Sequence, residues 1–287
     1  MKLATKFILG IMALLVIFLI AEIVKSPDKD STQIYFFNVG QGDAELIQKG
    51  NYQILIDGGP DDKILSELSG VMPITDRTIE VLILTHPHAD HLTGLNQVLE
   101  RYNVEKIYFN GVSHTSSTYL EFLQKIKDKS ISSEVPAIGE KISPFENSQL
   151  QFLWPGEKYK EKTIENLNNS SEVVKFCYFS ECAVFLSDQE TDEQKLMFAE
   201  LEKQNINYIA KILKIAHHGS TNGTDQTTLE KIKPQYAIIE VGADNQFGHP
   251  HAATLDLLSK FNIKTYRTDR DGTVEFLLKE NEIIKNN

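Results

Sequence analysis

Seven of the eight histidines in this chain fall into three tight clusters, His86/His88/His91, His217/His218 and His249/His251. Each cluster follows a short stretch with the pattern of a strand, where side chains project from the edge of a sheet. Histidines placed singly in a core or on a surface would not group in this way. The grouping asks that several strand ends present donor side chains from a sheet edge.

The segments between the clusters alternate strands and helices. Gln33–Val39, Ala44–Gln48 and Tyr52–Ile56 are short apolar or alternating runs separated by glycine-rich turns, so they read as strands. Glu80–Leu84 reads as a buried strand leading into the first histidine cluster. Leu92, Leu95, Val98 and Leu99 then recur on one face of a helix. Further strands are expected at 104–109, 150–154, 172–179, 183–186, 211–215 and 236–241, with 273–278 closing the chain. Helices are expected at 61–68, 118–126, 192–203 and 252–260. This order, without internal repeats, suits a single α/β domain built as a four-layer αββα sandwich.

The N-terminus stands apart. Phe7 to Val24 is apolar except for Glu22 and is preceded by Lys2 and Lys6. Eighteen helical residues reach about 27 Å, close to the hydrocarbon thickness of a bilayer. Residues 1–30 therefore read as a signal-anchor helix and linker, with Lys25–Thr32 as the linker. Residues 31–287 form the main domain, on the outer side of a cell membrane as a single-pass protein or secreted after signal cleavage. Cys177 and Cys182 flank an expected hairpin turn. They read equally as one disulfide of an exported domain or as two free thiols on a sheet. A net charge of −11 argues against broad, sequence-independent binding of nucleic acid.

The first cluster reads Thr85-His86-Pro87-His88-Ala89-Asp90-His91-Leu92-Thr93-Gly94. Imidazoles and carboxylates are the nitrogen and oxygen donors that zinc or manganese takes. His86 and His88, two apart at a strand end, point the same way and can share one ion. Asp90 and His91, on the turn into the next helix, can reach a second. Gly94 permits close approach of that helix.

The motif His-x-His-x-Asp-His resembles the signature of the metallo-β-lactamase superfamily. A wider resemblance is to the C-terminal hydrolase domain of ComEC-type DNA-uptake (competence) proteins. It is carried by Asn38-Val39-Gly40-Gln41-Gly42-Asp43-Ala44, Leu55-Ile56-Asp57-Gly58-Gly59 and the first cluster. It continues through Leu213-Lys214-Ile215-Ala216-His217-His218-Gly219-Ser220, Gly248-His249-Pro250-His251 and residues 266–272. The resemblance implies two divalent ions, Zn or Mn. His86 and His88 would hold one, Asp90 and His91 the other, and Asp188, in Leu186-Ser187-Asp188, would bridge them. His217 matches the last histidine ligand and His218 the substrate side, with the exchanged assignment also open. Asp43 and Asp57 resemble anchors that orient ligating imidazoles.

Two departures from the family stand out. Asn168-Asn169-Ser170-Ser171 occupies the region where many members supply a further histidine, and Asn38 and Ser187 replace the usual Asp and Gly. The function implied is hydrolysis by a metal-activated water, with Asp90, His218, His249 and His251 in catalytic roles and the Gly219-Ser220-Thr221 turn offering N–H donors. His249 and His251 are expected on the substrate side. The leading substrate class is a phosphodiester or other anionic group, possibly DNA; a small or envelope-derived ester, lactone or phosphoester is the alternative. A non-enzymatic, anchored nucleic-acid-binding subunit with a decayed metal site is the third reading.

Overall fold

In the computed structural model, helix α1 (Lys2–Lys25) precedes two packed sheets flanked by helices. The structure describes residues 2–25 and 31–286, with α1 side chains described for residues 6–17. Among the described residues no helix is long and apolar enough to cross a membrane. Within the run Phe7–Val24 read as a membrane segment, side chains are described only to Ile17, and residues 26–30 of the linker lie outside the described residues. Ser31 and Thr32 are fully buried and Thr32 begins β1, so the linker ends before them.

The first sheet opens with β1 (Thr32–Phe36), β2 (Glu45–Lys49), β3 (Tyr52–Ile56), β4 (Thr78–Leu84), β5 (Asn103–Phe109) and β6 (Ser132–Glu134). The chain then crosses to β7 (Lys141–Ile142), β8 (Ser148–Trp154), β9 (Val173–Tyr178), β10 (Glu181–Phe185), β11 (Ile212–Lys214), β12 (Tyr236–Ile239) and β13 (Lys264–Arg267). It returns as β14 (Val274–Lys279) and β15 (Glu282–Asn286), giving the orders β15-β14-β1-β2-β3-β4-β5-β6 and β13-β12-β11-β10-β9-β8-β7. Helices α2 (Lys63–Val71), α3 (Ala89–Arg101) and α4 (Ser117–Asp128) bury their apolar faces against the first sheet. Helices α5 (Thr191–Lys203), α6 (Gln226–Ile232) and α7 (Ala252–Lys260) do so against the second. The four short elements β6, β7, β13 and α6, together with β15, are absent from the sequence reading, so 273–278 does not close the chain.

A strand buried on both faces reads as an unbroken apolar run, and β4 shows why. Val81 and Ile83 enter the core between the sheets, while Leu82 and Leu84 enter the core beneath α3. Strands β3 through β6 pair in parallel, as do β10 through β13. Within each sheet the carboxyl ends therefore share one edge, and the histidine clusters follow β4, β11 and β12. At the opposite end of β10, Cys177 and Cys182 face each other across the β9–β10 hairpin and form a disulfide. That settles the two cysteine readings in favour of the bridge.

Helix α3 is held close to the loop after β3. The N–H of Gly58 donates to His91 O at 2.8 Å and that of Gly94 to Gly59 O at 3.0 Å. A Cβ at Gly94 would stand 1.9 Å from Gly58 O, whereas one at Gly70, near the end of α2, meets nothing within 4 Å. Gly94→Ala is expected to cost about 2 kcal/mol or more. Gly70→Ala is expected to stabilise by about 0.5 kcal/mol through helix propensity. Thermal or urea unfolding of both variants checks the opposite signs; equal effects would show that the α3 contact is loose.

Candidate metal centre

Two backbone turns deliver the first donors. After β4 the chain passes through Thr85, His86 and Pro87 without regular structure, and His88, itself extended, precedes α3. His86 and His88 thus leave one strand end together, with His86 Nε2 3.0 Å from His88 Nδ1. Asp90 and His91 sit in the first turn of α3, facing the end of β10. From there Asp188 projects its Oδ2 between the two pairs, 4.0 Å from His86 Nε2 and 3.3 Å from His91 Nε2.

The last histidine pair is presented by an unusual backbone. His217 and His218 are both left-handed (φ 50° and 51°) and are followed by Gly219 at φ +82°. Such residues cost about 1–3 kcal/mol each and persist where the surroundings impose them. The turn sends the two rings different ways. His218 is buried, with Nε2 3.3 Å from Asp90 Oδ2 and 3.6 Å from Asp188 Oδ2. His217 is 23% exposed, its Nε2 4.0 Å from Asp188 Oδ2 and its ring beside Asn168 and His249.

The donor atoms fall into two groups. One atom each from Asp90, His91, Asp188 and His218 lie within 4.8 Å of one another, as do atoms from His86, His88 and Asp188. Donors bound at 2.0–2.2 Å in a tetrahedron stand roughly 3.4 Å apart, which matches the 3.3, 3.3 and 3.6 Å separations of the first group. Buried His91 Nε2, His218 Nε2 and Asp188 Oδ1 make no hydrogen bond, an arrangement that buried polar atoms avoid unless they serve a ligand. The residues therefore fit divalent ions, and an all nitrogen and oxygen set suits zinc or manganese.

Behind the donors two of the imidazoles are locked. His91 Nδ1 lies 2.7 Å from Asp57 Oδ2, and Asp57 in turn accepts from the Thr85 N–H at 2.8 Å and hydroxyl at 2.6 Å. His218 Nδ1 lies 2.9 Å from Glu240 O and 3.2 Å from Asp43 Oδ1. Each ring thus turns its Nε2 toward the site. Ser187, left-handed at φ 51° where the related pattern carries Gly, donates its hydroxyl to Thr85 Oγ1 at 2.7 Å. Asn38, where the related pattern carries Asp, instead has its backbone N–H bonded to Thr273. Of the Asn-Ser segment, Ser171 Oγ reaches His86 Nδ1 at 3.4 Å; His114, far along β5's exit loop, joins neither donor group.

Charge follows this geometry. Burial opposes ionisation of Asp188, but His218, His91 and Lys214 outweigh it and hold the carboxyl well below its usual range. Burial likewise opposes protonation of His91 and His218, and the surrounding carboxylates overcome it. Asp188 and Asp57 raise His91 well above its ordinary value, and Asp188 and Asp43 raise His218 to about 10. His86 is pushed well down, by burial first and then by His91. Without an ion, protons on His91 and His218 balance the carboxylates.

Three features depart from the sequence reading. It put His217 among the ligands and His218 on the substrate side, leaving the exchange open, and the distances favour the exchange. The turn after His217 offers no row of N–H donors, because Ser220 N bonds His217 O and Thr221 N bonds His251 Nδ1 at 3.2 Å. His251 is thereby tied back to that turn, while the buried Nδ1 of His249 has no partner. The residue passed over was Lys214, fully buried against Asp43 and 4.0 Å from Asp188 Oδ1. A lysine inside Ile212-Leu213-Lys214-Ile215 was a readable signal, since a buried charge demands a partner.

Loading the site at neutral pH is expected to release protons from His91 and His218, so affinity falls as pH drops. Calorimetry in buffers of different ionisation enthalpy measures the release, and its absence would mean both rings are neutral beforehand. His218→Ala is expected to lose one divalent ion per chain while His217→Ala retains it. Elemental analysis showing the reverse order would exchange the two roles.

The sequence profile of the Metallo-beta-lactamase superfamily matches residues 37–176. The chain is 26% identical over 205 residues to ComE operon protein 3 of Bacillus subtilis, covering 71% of this chain and 25% of that protein. It is 23% identical over 254 residues to competence protein ComA of Neisseria gonorrhoeae, covering 87% of this chain and 33% of the relative. The chain thus spans a quarter to a third of the length of these curated relatives. Among solved structures, the metallo-beta-lactamase fold protein YhfI of Bacillus subtilis superposes with a TM-score of 0.56 at 15% identity, covering 90% of this chain and all of that one. The αββα layers, the donor groups at the sheet edge and the profile match over residues 37–176 together make this chain similar to the metallo-β-lactamase superfamily.

Proposed function

We propose that this protein is a metal-dependent phosphodiester hydrolase. The observation that carries the reading is the sharing of Asp188 Oδ2 between the His86/His88 and Asp90/His91/His218 groups, which sets two cation positions side by side. Bound divalent ions would supply the Lewis acidity that activates water and polarises the scissile group. The chain's own residues do the rest. His86, His88, Asp90, His91, Asp188 and His218 hold the ions, and Asp57 and Asp43 keep two of the imidazoles aimed. His249 is held neutral, pushed down to about 4 by burial and by His218, His217 and His251. It meets the substrate as a hydrogen-bonding imidazole, and an anionic group bound beside it would raise its proton affinity toward that of a general acid. His217 lines the same side, and His251 braces the loop through Thr221. Resemblance to ComEC-type proteins favours DNA as the phosphodiester; the net charge of −11 favours a small anionic ester over a long polyanion.

The same reading places the protein on a membrane through residues 7–24, with the hydrolase domain outside. It is supported by α1, where Phe7, Ile8 and Leu14 are 72%, 59% and 68% exposed, apolar surface that asks for a non-aqueous partner. The Cys177–Cys182 bridge suits an oxidising compartment.

The detergent-solubilised full chain loaded with Zn or Mn is expected to hydrolyse bis-p-nitrophenyl phosphate. Asp188→Ala should fall to background, and His249→Gln should lose roughly 10²-fold in turnover with its metal content intact. Turnover that survives Asp188→Ala would sink the proposal. Protease added to intact cells without an outer membrane is expected to degrade the domain; complete protection would place it inside.

A further inference from the structure

A cavity lined by none of the metal donors lies at the carboxyl end of β5. It encloses about 460 Å³ between the end of β5, helix α4 and the loop after β6, a volume within the range of small-ligand sites. Its walls are mainly apolar, from Phe109, Val112, Leu123 and Val135, with Tyr119 buried beneath and bonded through its hydroxyl to Val112 O. Its polar lining comes from Ser113, His114, Thr115, Lys160, Glu161 and Thr163, with Lys160 Nζ paired to Glu157 Oε1 at 2.6 Å. His114 Nδ1 is engaged with Ser116 Oγ at 3.1 Å, which leaves Nε2 as the ring nitrogen that can meet a ligand.

The position of this cavity follows from the sheet. Phe109 pairs with Leu84 in the parallel β4–β5 ladder, so the cavity begins beside the residues that lead into His86 and His88. The next residue, Asn110, ties the two strand exits together by donating to Thr85 O at 3.0 Å and Ser170 O at 2.8 Å. The loop can turn there because Gly111 is left-handed at φ +68°; a Cβ would stand 2.6 Å from Val135. An apolar chamber with two aromatic rings and a lining of hydroxyl, imidazole, ammonium and carboxylate groups has the chemistry of a heterocycle site. It offers ring faces for stacking and donors for the polar edge.

We propose that this cavity is the specificity subsite of the enzyme and takes a nucleobase carried by the ester whose phosphate lies at the metal centre. The inference rests on the phosphodiesterase reading for its link to turnover. The test compares two esters that release the same chromophore, thymidine 5′-(p-nitrophenyl phosphate) and methyl p-nitrophenyl phosphate, using full-length protein and the pocket-filling variants Leu123→Trp and Val135→Trp. These residues come from separate elements, α4 and the loop after β6, and thermal melting identifies a variant that fails to fold. The wild type is expected to prefer the nucleoside ester by about tenfold in kcat/KM, and the folded variants to lose that preference. No preference in the wild type, or an undiminished preference in a folded variant, overturns the proposal. Where the wild type turns over neither ester, saturation-transfer NMR with thymidine 5′-monophosphate decides. Binding that both fillings abolish upholds the cavity and sinks the hydrolase reading alone, whereas no binding, or binding unchanged by a filling, overturns the cavity.

Discussion

The ammonium group of Lys214 is sealed among carboxylates, against Asp43 and 4.0 Å from Asp188, with Glu45 and Glu240 behind it. Burial, reinforced by the neighbouring carboxylates, pushes Glu45 up to about 8 and Glu240 well above its ordinary value. Both are therefore neutral at pH 7, and the lysine has Asp43 and Asp188 to balance. An ion pair 4 Å apart is worth about 4 kcal/mol at an effective dielectric of 20, while a buried charge left alone costs several kcal/mol. Removing the ammonium would strand Asp43 directly behind His218, and the imidazole orientation would go with it. The metal donors and the core thus share one electrostatic balance.

Backbone strain is concentrated in the same place. Asp57, Ser187, His217 and His218 all adopt left-handed conformations at φ 50–54°, and each stands shortly after a strand end. A strand that ended in an ordinary turn would carry these side chains away from the edge; the reversed turn brings them across it. Hydrogen bonds hold the turns: Asp57 N to Ile83 O, His217 N to Ser187 O, and Lys214 Nζ to Ser187 O at 3.1 Å. Gly42 does similar work by close approach, since a Cβ there would stand 2.2 Å from Asp90 O. The loop before β2 therefore fixes the first turn of α3, where Asp90 and His91 sit.

Much of this was legible along the chain. The apolar run 80–84 followed by His-x-His-x-Asp-His marked a doubly buried strand ending in donors, because burial on both faces and ligand spacing are local properties. The short strands β6, β7 and β13 were not, since two to four residues carry too little periodicity to be told from a loop. β15 lacks a buried face: its residues are half-buried or exposed, so no apolar alternation announced it. Lys214 stands out as a charge in an apolar run, but its partner Asp43 lies 171 positions earlier, so no local pattern shows what it pairs with.

The sequence by itself determined the chemistry available. It supplied imidazoles and carboxylates in clusters after strands, an apolar N-terminal run, and a cysteine pair spaced for a hairpin. Tertiary structure decided where those groups stand. Spacing cannot separate His217 from His218, because adjacent residues share one sequence environment; two consecutive left-handed residues bury one ring beside Asp90 and Asp188 and leave the other facing Asn168 and His249. Nor could spacing set Phe109, which lines the cavity, beside Leu84, two residues before His86. That depends on the parallel ladder of β4 and β5, where hydrogen-bonded register, and not distance along the chain, sets which side chains meet.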